Sequence, residues 1–386
     1  MTATEVAIHG YRSIRDIRLP LRRLTVLVGA NGVGKTNLYR SLELLQAAAR
    51  GSLADEIARE GGLGSVFWAG GRNLTPDGRF DPKFRTDGYR RGDGRPRLKL
   101  GVELDLDGAN PRYDIEIGFP GPAEAAFPLE ARVKEERLAV TVGGKSVAMM
   151  ERDGPAAWIR DAQGRRQPSE EKLLSSDIAL ASLGGAETIA VRQALVNWRF
   201  FHGLRTDPDS PLRRPCRAVT APLLASDGSN LAAVFATLRH IRGETVDIDA
   251  AIEAAFPGAE LVVPLPGDFA SFGLRFPETP KRVFEAHELS DGTLHFLALV
   301  GALLSYRAPP FVALNEPETS LHPDLLPALA KIIARAADRS QIWVVTHSRG
   351  LADPLAGEAG ATPREVIRRD GATWIEGLTA FAGFAS

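Results

Sequence analysis

The run Gly29-Ala30-Asn31-Gly32-Val33-Gly34-Lys35-Thr36 fits the spacing G-x-x-x-x-G-K-[ST]. Glycines at those positions let backbone N–H groups converge on phosphate oxygens, and a following helix adds the positive end of its dipole. Lys35 is the cation that would reach the β and γ phosphates, and the Thr36 hydroxyl is a candidate Mg²⁺ ligand. This chemistry is ATP binding with Mg²⁺, with hydrolysis as its usual consequence.

A second polar constellation lies near the other end of the chain, at Phe311-Val312-Ala313-Leu314-Asn315-Glu316-Pro317. An apolar strand that ends in an amide and an acid can hold Mg²⁺ through its first polar group, Asn315, and activate a water through the next, Glu316. Leu289-Ser290-Asp291-Gly292-Thr293 opens a helix where a hydroxyl and free N–H groups can receive a phosphate. Val344-Val345-Thr346-His347-Ser348 sets a histidine at a strand end, 31 residues after Glu316. Taken singly, these last two are a helix cap and a strand-end histidine. Their order after a phosphate loop, on either side of Glu316, favours a nucleotide site.

These residues need elements to hold them. Leu24–Val28 is a nearly continuous apolar run, as in a strand buried on both faces, and leads straight into the glycines. Residues 37–50 carry Leu38, Leu42 and Leu45 at helical spacing. Upstream, Val6 and Ile8, then Ile17, Leu19 and Leu21, alternate as a strand pair. Residues 75–95 are polar and rich in Gly, Asp and Arg, which reads as a loop. Residues 97–105, 112–119, 129–142 and 146–152 alternate like antiparallel strands, with turns at Asp107-Gly108 and Gly143-Gly144. Residues 169–202 and 229–256 read as mainly helical. From Leu289 the order is helix (294–306), strand (310–314), helix (324–337) and strand (341–346), then a hairpin over 365–376 about Asp370-Gly371.

The expected architecture is α/β, a nucleotide-binding head split between the chain ends. Its parts are an N-terminal lobe (1–75), a β-rich subdomain (76–168), a mainly helical insertion (169–280) and a C-terminal lobe (281–386). No heptad pattern is long enough for an extended coiled coil. The 386 residues are 44% hydrophobic and 25% charged, ordinary for a globular protein, with a net charge of −1. Near-neutral charge argues against a global basic field for nucleic acid. The single cysteine, Cys216, excludes an intrachain disulfide and suits a reducing compartment. With no apolar run of membrane-spanning length and five arginines breaking up the N-terminus, the expected location is the cytoplasm, away from membranes.

The motifs together resemble the ABC-type ATPase superfamily, in its SMC/RecF-like branch and the small bacterial predicted-ATPase group within it. Ile8-His9-Gly10-Tyr11-Arg12-Ser13-Ile14 resembles that branch's first strand and turn, which puts Arg12 and Ser13 beside the nucleotide with residues 29–36 and Asn37. Residues 289–293 resemble the ABC signature, and Glu316-Pro317-Glu318-Thr319-Ser320-Leu321-His322-Pro323 resembles the Walker B and D-loop. His347 is similar to the switch histidine that contacts the γ-phosphate. The resemblance implies an ATP-dependent homodimer joined head to tail, with Ser290 and Gly292 acting on the partner's ATP. Two departures stand out: Asn315 for the usual Asp, and Asp291 for the signature's first Gly. The Q-loop glutamine has three candidates, Gln163, Gln167 and Gln193, with Gln46 too early.

Family analogy implies work in DNA repair, genome maintenance or phage defence, on DNA or on a partner protein. Two basic clusters could contact DNA: Arg85, Arg90, Arg91, Arg95, Arg97 and Lys99, then Arg205, Arg213, Arg214 and Arg217. Solvated loops account for such runs as well. A slow, nucleotide-switched scaffold is the alternative that Asn315 suggests. A transporter subunit fits less well, because Lys35 and Ser290 stand 255 residues apart.

Overall fold

The computed structural model describes residues 2–68, 96–106, 108–120, 127, 130–170, 172–243, 245–379 and 383–384. They form two compact units. One comprises Met1–Arg22, Gly29–Trp198 and Glu365–Ser386, and the other comprises Arg23–Val28 and Arg199–Arg364.

The chain begins with strands β1 (Thr2–Tyr11), β2 (Ile14–Pro20) and β3 (Leu24–Val28), followed by helices α1 (Lys35–Arg50), α2 (Leu53–Arg59) and α3 (Leu63–Val66). Strands β4 (Arg97–Asp105), β5 (Pro111–Gly118), β6 (Arg132–Val142), β7 (Lys145–Asp153), β8 (Ala156–Arg160) and β9 (Arg166–Pro168) come next. Then follow α4 (Ala179–Ser182), α5 (Ala186–Val196), β10 (Arg199–His202), β11 (Cys216–Arg217), α6 (Leu231–Ala236) and α7 (Val246–Ala255). Short strands β12 (Glu260–Val262), β13 (Phe269–Ala270), β14 (Gly273–Arg275) and β15 (Val283–Glu285) precede α8 (Asp291–Leu303). The last elements are β16 (Phe311–Asn315), α9 (Leu326–Ala337), β17 (Gln341–Thr346), α10 (Arg349–Ala359), β18 (Arg364–Arg369) and β19 (Ala372–Ile375).

The first unit is built on an antiparallel sheet in the order β2-β1-β4-β5-β6-β7-β8-β9. Ile8 pairs with Ile17 and Val6 with Leu19, so the alternating apolar positions of β1 and β2 lie on one buried face. Helix α1 packs on β1, β4 and α5, burying Leu38, Leu42 and Leu45, and ends at Gly51 in the left-handed conformation. The sheet also encloses an ion pair: Arg152 lies 3.2 Å from Glu136, both side chains fully buried. Glu136 also accepts from the Tyr113 hydroxyl and the N–H groups of Ala179 and Leu180. Four polar partners are what a charge needs to survive such burial.

In the second unit β10, β16, β17 and β3 lie side by side, all parallel. Strands β3, β16 and β17 are buried throughout, as continuous apolar runs require. Helices α8, α9 and α10 pack around them. Strand β3, from the N-terminal end of the chain, thus pairs with β17 from the C-terminal end, which is the split expected of the head. The stretch read as mainly helical is mixed. It carries α4 to α7, with a π turn at Thr237–Arg242, but also β10 and the small strands β11 to β14. The longest helix among the described residues, α1, has 16 residues, so no long coiled coil is found there. The lobe boundary at 75/76 and the turn residue Asp107 lie outside the described residues.

Candidate functional site

In the first unit, the chain turns immediately after β3 into the glycine loop. Gly32 and Gly34 have φ of 80° and 101°, the left-handed region that glycine enters at no cost. A Cβ on Gly29 would stand 2.6 Å from the Val366 carbonyl oxygen, and one on Gly34 would overlap the Thr373 hydroxyl. Ala30, Asn31 and Gly32 are exposed at the rim, Val33, Thr36 and Asn37 half-buried. Lys35 is buried, its ammonium donating to the Gly29 and Ala30 carbonyls at 2.7 and 2.8 Å. A loop that holds its own lysine this way has a positive charge fixed beside its backbone donors, which suits an anion.

Ser13 joins this group. Its hydroxyl accepts from the Asn37 amide at 2.7 Å and lies 2.6 Å from the Thr373 hydroxyl. Arg12, at φ 46°, turns elsewhere: its guanidinium pairs with Glu60 at 2.9 Å, and Glu60 also accepts from Tyr11. The candidate glutamines divide differently. Gln167 donates to Asp161, and Gln46 is buried with its amide on the Trp198 carbonyl.

In the second unit, the carboxyl ends of the parallel strands line up. His202 is level with Asn315, Asn315 with Val345, and Thr346 with Val28, so the strand that delivers the glycine loop ends beside the strand that delivers His347. Ligand sites in parallel sheets form at such carboxyl ends. Glu316 follows Asn315 with φ 50°, a strained conformation for a non-glycine residue, pinned by its N–H to the Val345 carbonyl at 2.7 Å. His347 Nδ1 lies 3.8 Å from the Glu316 carboxylate and 3.2 Å from that of Glu318.

Glu318 is the residue the sequence reading passed over. Its side chain is only 5% exposed, and one oxygen accepts from the Thr346 hydroxyl at 2.5 Å and the His347 N–H at 3.0 Å. It therefore fixes both the end of β17 and the histidine after it. The available signal was only an acid two residues beyond Glu316, in a polar segment where nothing local shows that its side chain is buried. His202 was also missed. Its Nδ1 is 2.7 Å from the Asn315 amide nitrogen.

That contact leaves Asn315 Oδ1 buried and without a hydrogen-bond partner, as is the second oxygen of Glu318. Two such oxygens suit Mg²⁺ or its bound water, since hard cations take oxygen ligands. Among the described residues no group of three or more His, Cys, Asp or Glu gathers to cage a metal. A Mg²⁺ ion that keeps several waters and leans on phosphates needs no such cage.

The signature residues sit at the start of α8. Ser290 is the cap, its hydroxyl accepting from the Thr293 N–H at 3.2 Å, and it is exposed. Gly292 lies so close to Ser320 that a Cβ would stand 2.8 Å from its carbonyl oxygen. Asp291 pairs with Arg213 at 2.6 Å.

That pair bears on the two basic clusters. Arg97 is buried in β4 against Glu116, and Lys99 faces Asp114. Arg205 pairs with Asp207 and Arg214 with Asp209, while Arg217 lies over the Phe269 ring. Most of these cations are neutralised within the chain, because acidic neighbours distant or local in sequence meet them in the fold. Arg85, Arg90, Arg91 and Arg95 lie outside the described residues.

Among the described residues no helix is long and apolar enough to cross a membrane. In sequence, no curated protein matches the chain. In structure it is similar to an SMC head bound to the C-terminal winged-helix domain of ScpA, at TM-score 0.54 and 15% identity, covering 97% of both chains. It is likewise similar to the SMC head with an extended coiled coil bound to the C-terminal domain of ScpA from Pyrococcus furiosus, at TM-score 0.50 and 13% identity. That likeness covers 97% of this chain and 95% of the other. Residues 24–140 and 227–353, more than half of the sequence, match the family described as "AAA domain, putative AbiEii toxin, Type IV TA system". The chain belongs to that AAA family, a P-loop ATPase with the α/β fold of SMC head domains.

Proposed function

We propose that the chain binds ATP with Mg²⁺ and hydrolyses it, and that ATP drives two copies together head to tail. Residues 29–37 with Ser13 would hold the phosphates and Lys35 their charge, and Thr36 and Asn315 would be the metal ligands. Glu316 would take the proton of the attacking water, with His347 at the γ-phosphate. Ser290 and Gly292 would complete the partner's site, and Arg12 would lie at the rim of the chain's own. In this reading residues 1–75 and 281–386 are the ATPase lobes, and 76–168 and 169–280 the insertions between them.

The observation that carries the reading is Glu316. A carboxylate is held in a left-handed conformation at the end of a fully buried strand, with His347 3.8 Å away and both beside the buried Glu318. Backbone strain of this kind costs about 1–3 kcal/mol and clusters at working sites. The test is Glu316→Gln, which should bind ATP without cleaving it and accumulate as a dimer. Light scattering that shows this variant monomeric at saturating ATP would refute head-to-tail pairing. Lys35→Ala should bind no nucleotide.

For the biological role, an ATP-gated dimer working in DNA repair, genome maintenance or phage defence remains the leading reading. The toxin–antitoxin wording of the family description fits the last of these. A second reading, a slow nucleotide-switched scaffold for a partner protein, gains from one observation: the described basic residues are largely ion-paired within the chain. The similar SMC heads were solved bound to ScpA domains, a protein partner. ATPase turnover with and without duplex DNA separates the two. Stimulation that fades steeply with salt supports DNA, and indifference to DNA supports the scaffold.

A further inference from the structure

We infer that Thr373, in the C-terminal hairpin β18–β19, is a positioning residue of the phosphate loop. The inference rests on the nucleotide-binding reading above and adds to it a residue outside every motif of the sequence. Thr373 lies 340 positions after Val33, yet its hydroxyl donates to the Val33 carbonyl at 2.8 Å. Its backbone N–H donates to the Ser13 carbonyl at 2.7 Å.

The hydroxyl protons in this group have only one order. The Asn37 amide nitrogen can only donate, so Ser13 Oγ accepts from it at 2.7 Å. Ser13 then gives its own proton to Thr373 Oγ1, 2.6 Å away, and Thr373 gives its proton to Val33. The relay runs Asn37 to Ser13 to Thr373 to Val33, with Thr373 only 1% exposed. Buried relays of this kind, with each member satisfied, fix one geometry.

What they fix is a peptide plane. The Val33 carbonyl and the Gly34 N–H belong to one planar trans peptide and point in opposite directions. Holding the carbonyl toward the hairpin therefore aims the Gly34 N–H away from it, as a donor to phosphate. The approach is as close as glycine allows, since a Cβ on Gly34 would overlap Thr373 Oγ1 and stand 2.5 Å from Ser13 Oγ. Gly29, at the loop's other end, meets β18 in the same way through Val366. Two of the loop's glycines are thus shaped to the hairpin as well as to a phosphate.

Three variants of the full chain test this: Thr373→Val, which keeps the shape and removes the hydroxyl, Thr373→Ser, which keeps the hydroxyl, and Lys35→Ala. Each is titrated with a fluorescent ATP analogue and assayed for KM and kcat. Losing the hydroxyl's bonds to Ser13 and Val33 should weaken binding and raise KM about tenfold in Thr373→Val, with kcat at saturating ATP unchanged. Thr373→Ser should stay within about threefold of wild type, since it keeps the relay. Should Thr373→Val melt early, Ser13→Ala interrupts the same relay from the other side and should weaken binding in the same sense. The role is overturned if wild-type and hydroxyl-free proteins bind alike, or if Thr373→Ser loses as much as Thr373→Val. A wild type that binds the analogue no better than Lys35→Ala overturns the nucleotide reading itself, and this role with it.

Discussion

Replacing Glu318 by Ala separates nucleotide binding from hydrolysis. The Glu318 carboxylate accepts from the Thr346 hydroxyl and the His347 N–H and lies 3.2 Å from His347 Nδ1. Alanine removes all three contacts. The Thr346 hydroxyl can turn its proton to the Ser348 carbonyl, 3.5 Å away, so the main orphan is the His347 backbone N–H. One buried orphan donor costs about 1–3 kcal/mol, and the lost side chain adds a cavity, so Tm should fall by several degrees without unfolding the protein. The larger effect is on geometry. His347 is 44% exposed, so without Glu318 little remains to hold its ring. A displacement of about 1 Å in a group that must meet a reacting phosphate costs on the order of a hundredfold in rate. The expected outcome is a kcat about a hundredfold lower in Glu318→Ala and about tenfold lower in Glu318→Gln, which keeps an acceptor but loses the charge. ATP affinity measured without Mg²⁺ should not move, because the loop that holds Lys35 makes its own contacts. Steady-state phosphate release with a parallel binding titration reads both. Wild-type turnover in Glu318→Ala, or loss of binding in step with kcat, would refute the positioning argument.

Other outcomes follow from single features. Asn315→Asp should lower the Mg²⁺ concentration for half-maximal ATPase, since a charged oxygen replaces a neutral one that now lacks a partner. An unchanged midpoint in a Mg²⁺ titration would mean that this side chain does not serve the metal. Glu43 on α1 has its carboxyl pushed up from 4.5 to about 7, first by burial and then by Glu56 and Glu60, with Arg40 opposing. The folded state therefore holds a proton there that the unfolded chain has lost, and stability falls as pH rises from about 4.5 to about 7. The gap sets a ceiling of about 3 kcal/mol, and the quarter of the side chain still exposed cuts that to about 1–2. Glu43→Gln should gain that much in chemical denaturation at pH 8 and nothing near pH 4.5; an equal gain at both would remove titration as the cause. Arg152→Met should cost about 3–5 kcal/mol, because Glu136 is left as a buried charge without its cation. Chemical denaturation reads this as well, and a loss under 1 kcal/mol would mean that Glu136 is neutral in the fold.

The parts of this site that could be read from the sequence are those where local pattern and local structure coincide. Leu24–Val28 reads as a buried strand because four apolar residues and one threonine precede the glycines, and β16 and β17 read the same way. The phosphate loop follows from its spacing alone. Strand β10 did not, since Arg199–His202 is four residues long and carries no period that could tell it from the helix before it. Glu318 and Thr373 escaped for another reason. Their roles come from partners 28 and 340 positions away, and a single sequence holds no trace of such pairings. The pairing of the basic residues is hidden in the same way. Counting arginines gave a charged patch, but Arg97 lies across Gly118 and against Glu116, in the interior of a sheet whose register no local pattern reveals.

Asp291 raises a question of charge that the fold answers. A carboxylate where the family has glycine would repel a phosphate brought to Ser290 and the start of α8. Yet Asp291 pairs with Arg213 at 2.6 Å, and the two partners are unequal. Arg213 is only 11% exposed and is tied by further bonds to the Thr206 and Leu289 carbonyls, whereas Asp291 is 62% exposed. The cation is therefore the fixed member and the anion the movable one. A phosphate that approached this helix would compete with Asp291 for a guanidinium already in place. The cost of displacing a half-solvated carboxylate from such a pair is about 0–1 kcal/mol. A charge-assisted bond from arginine to phosphate contributes about 1.5–3 kcal/mol. The balance favours the phosphate, so under the proposed head-to-tail pairing Asp291 would temper the engagement of Ser290 with a partner's nucleotide without forbidding it.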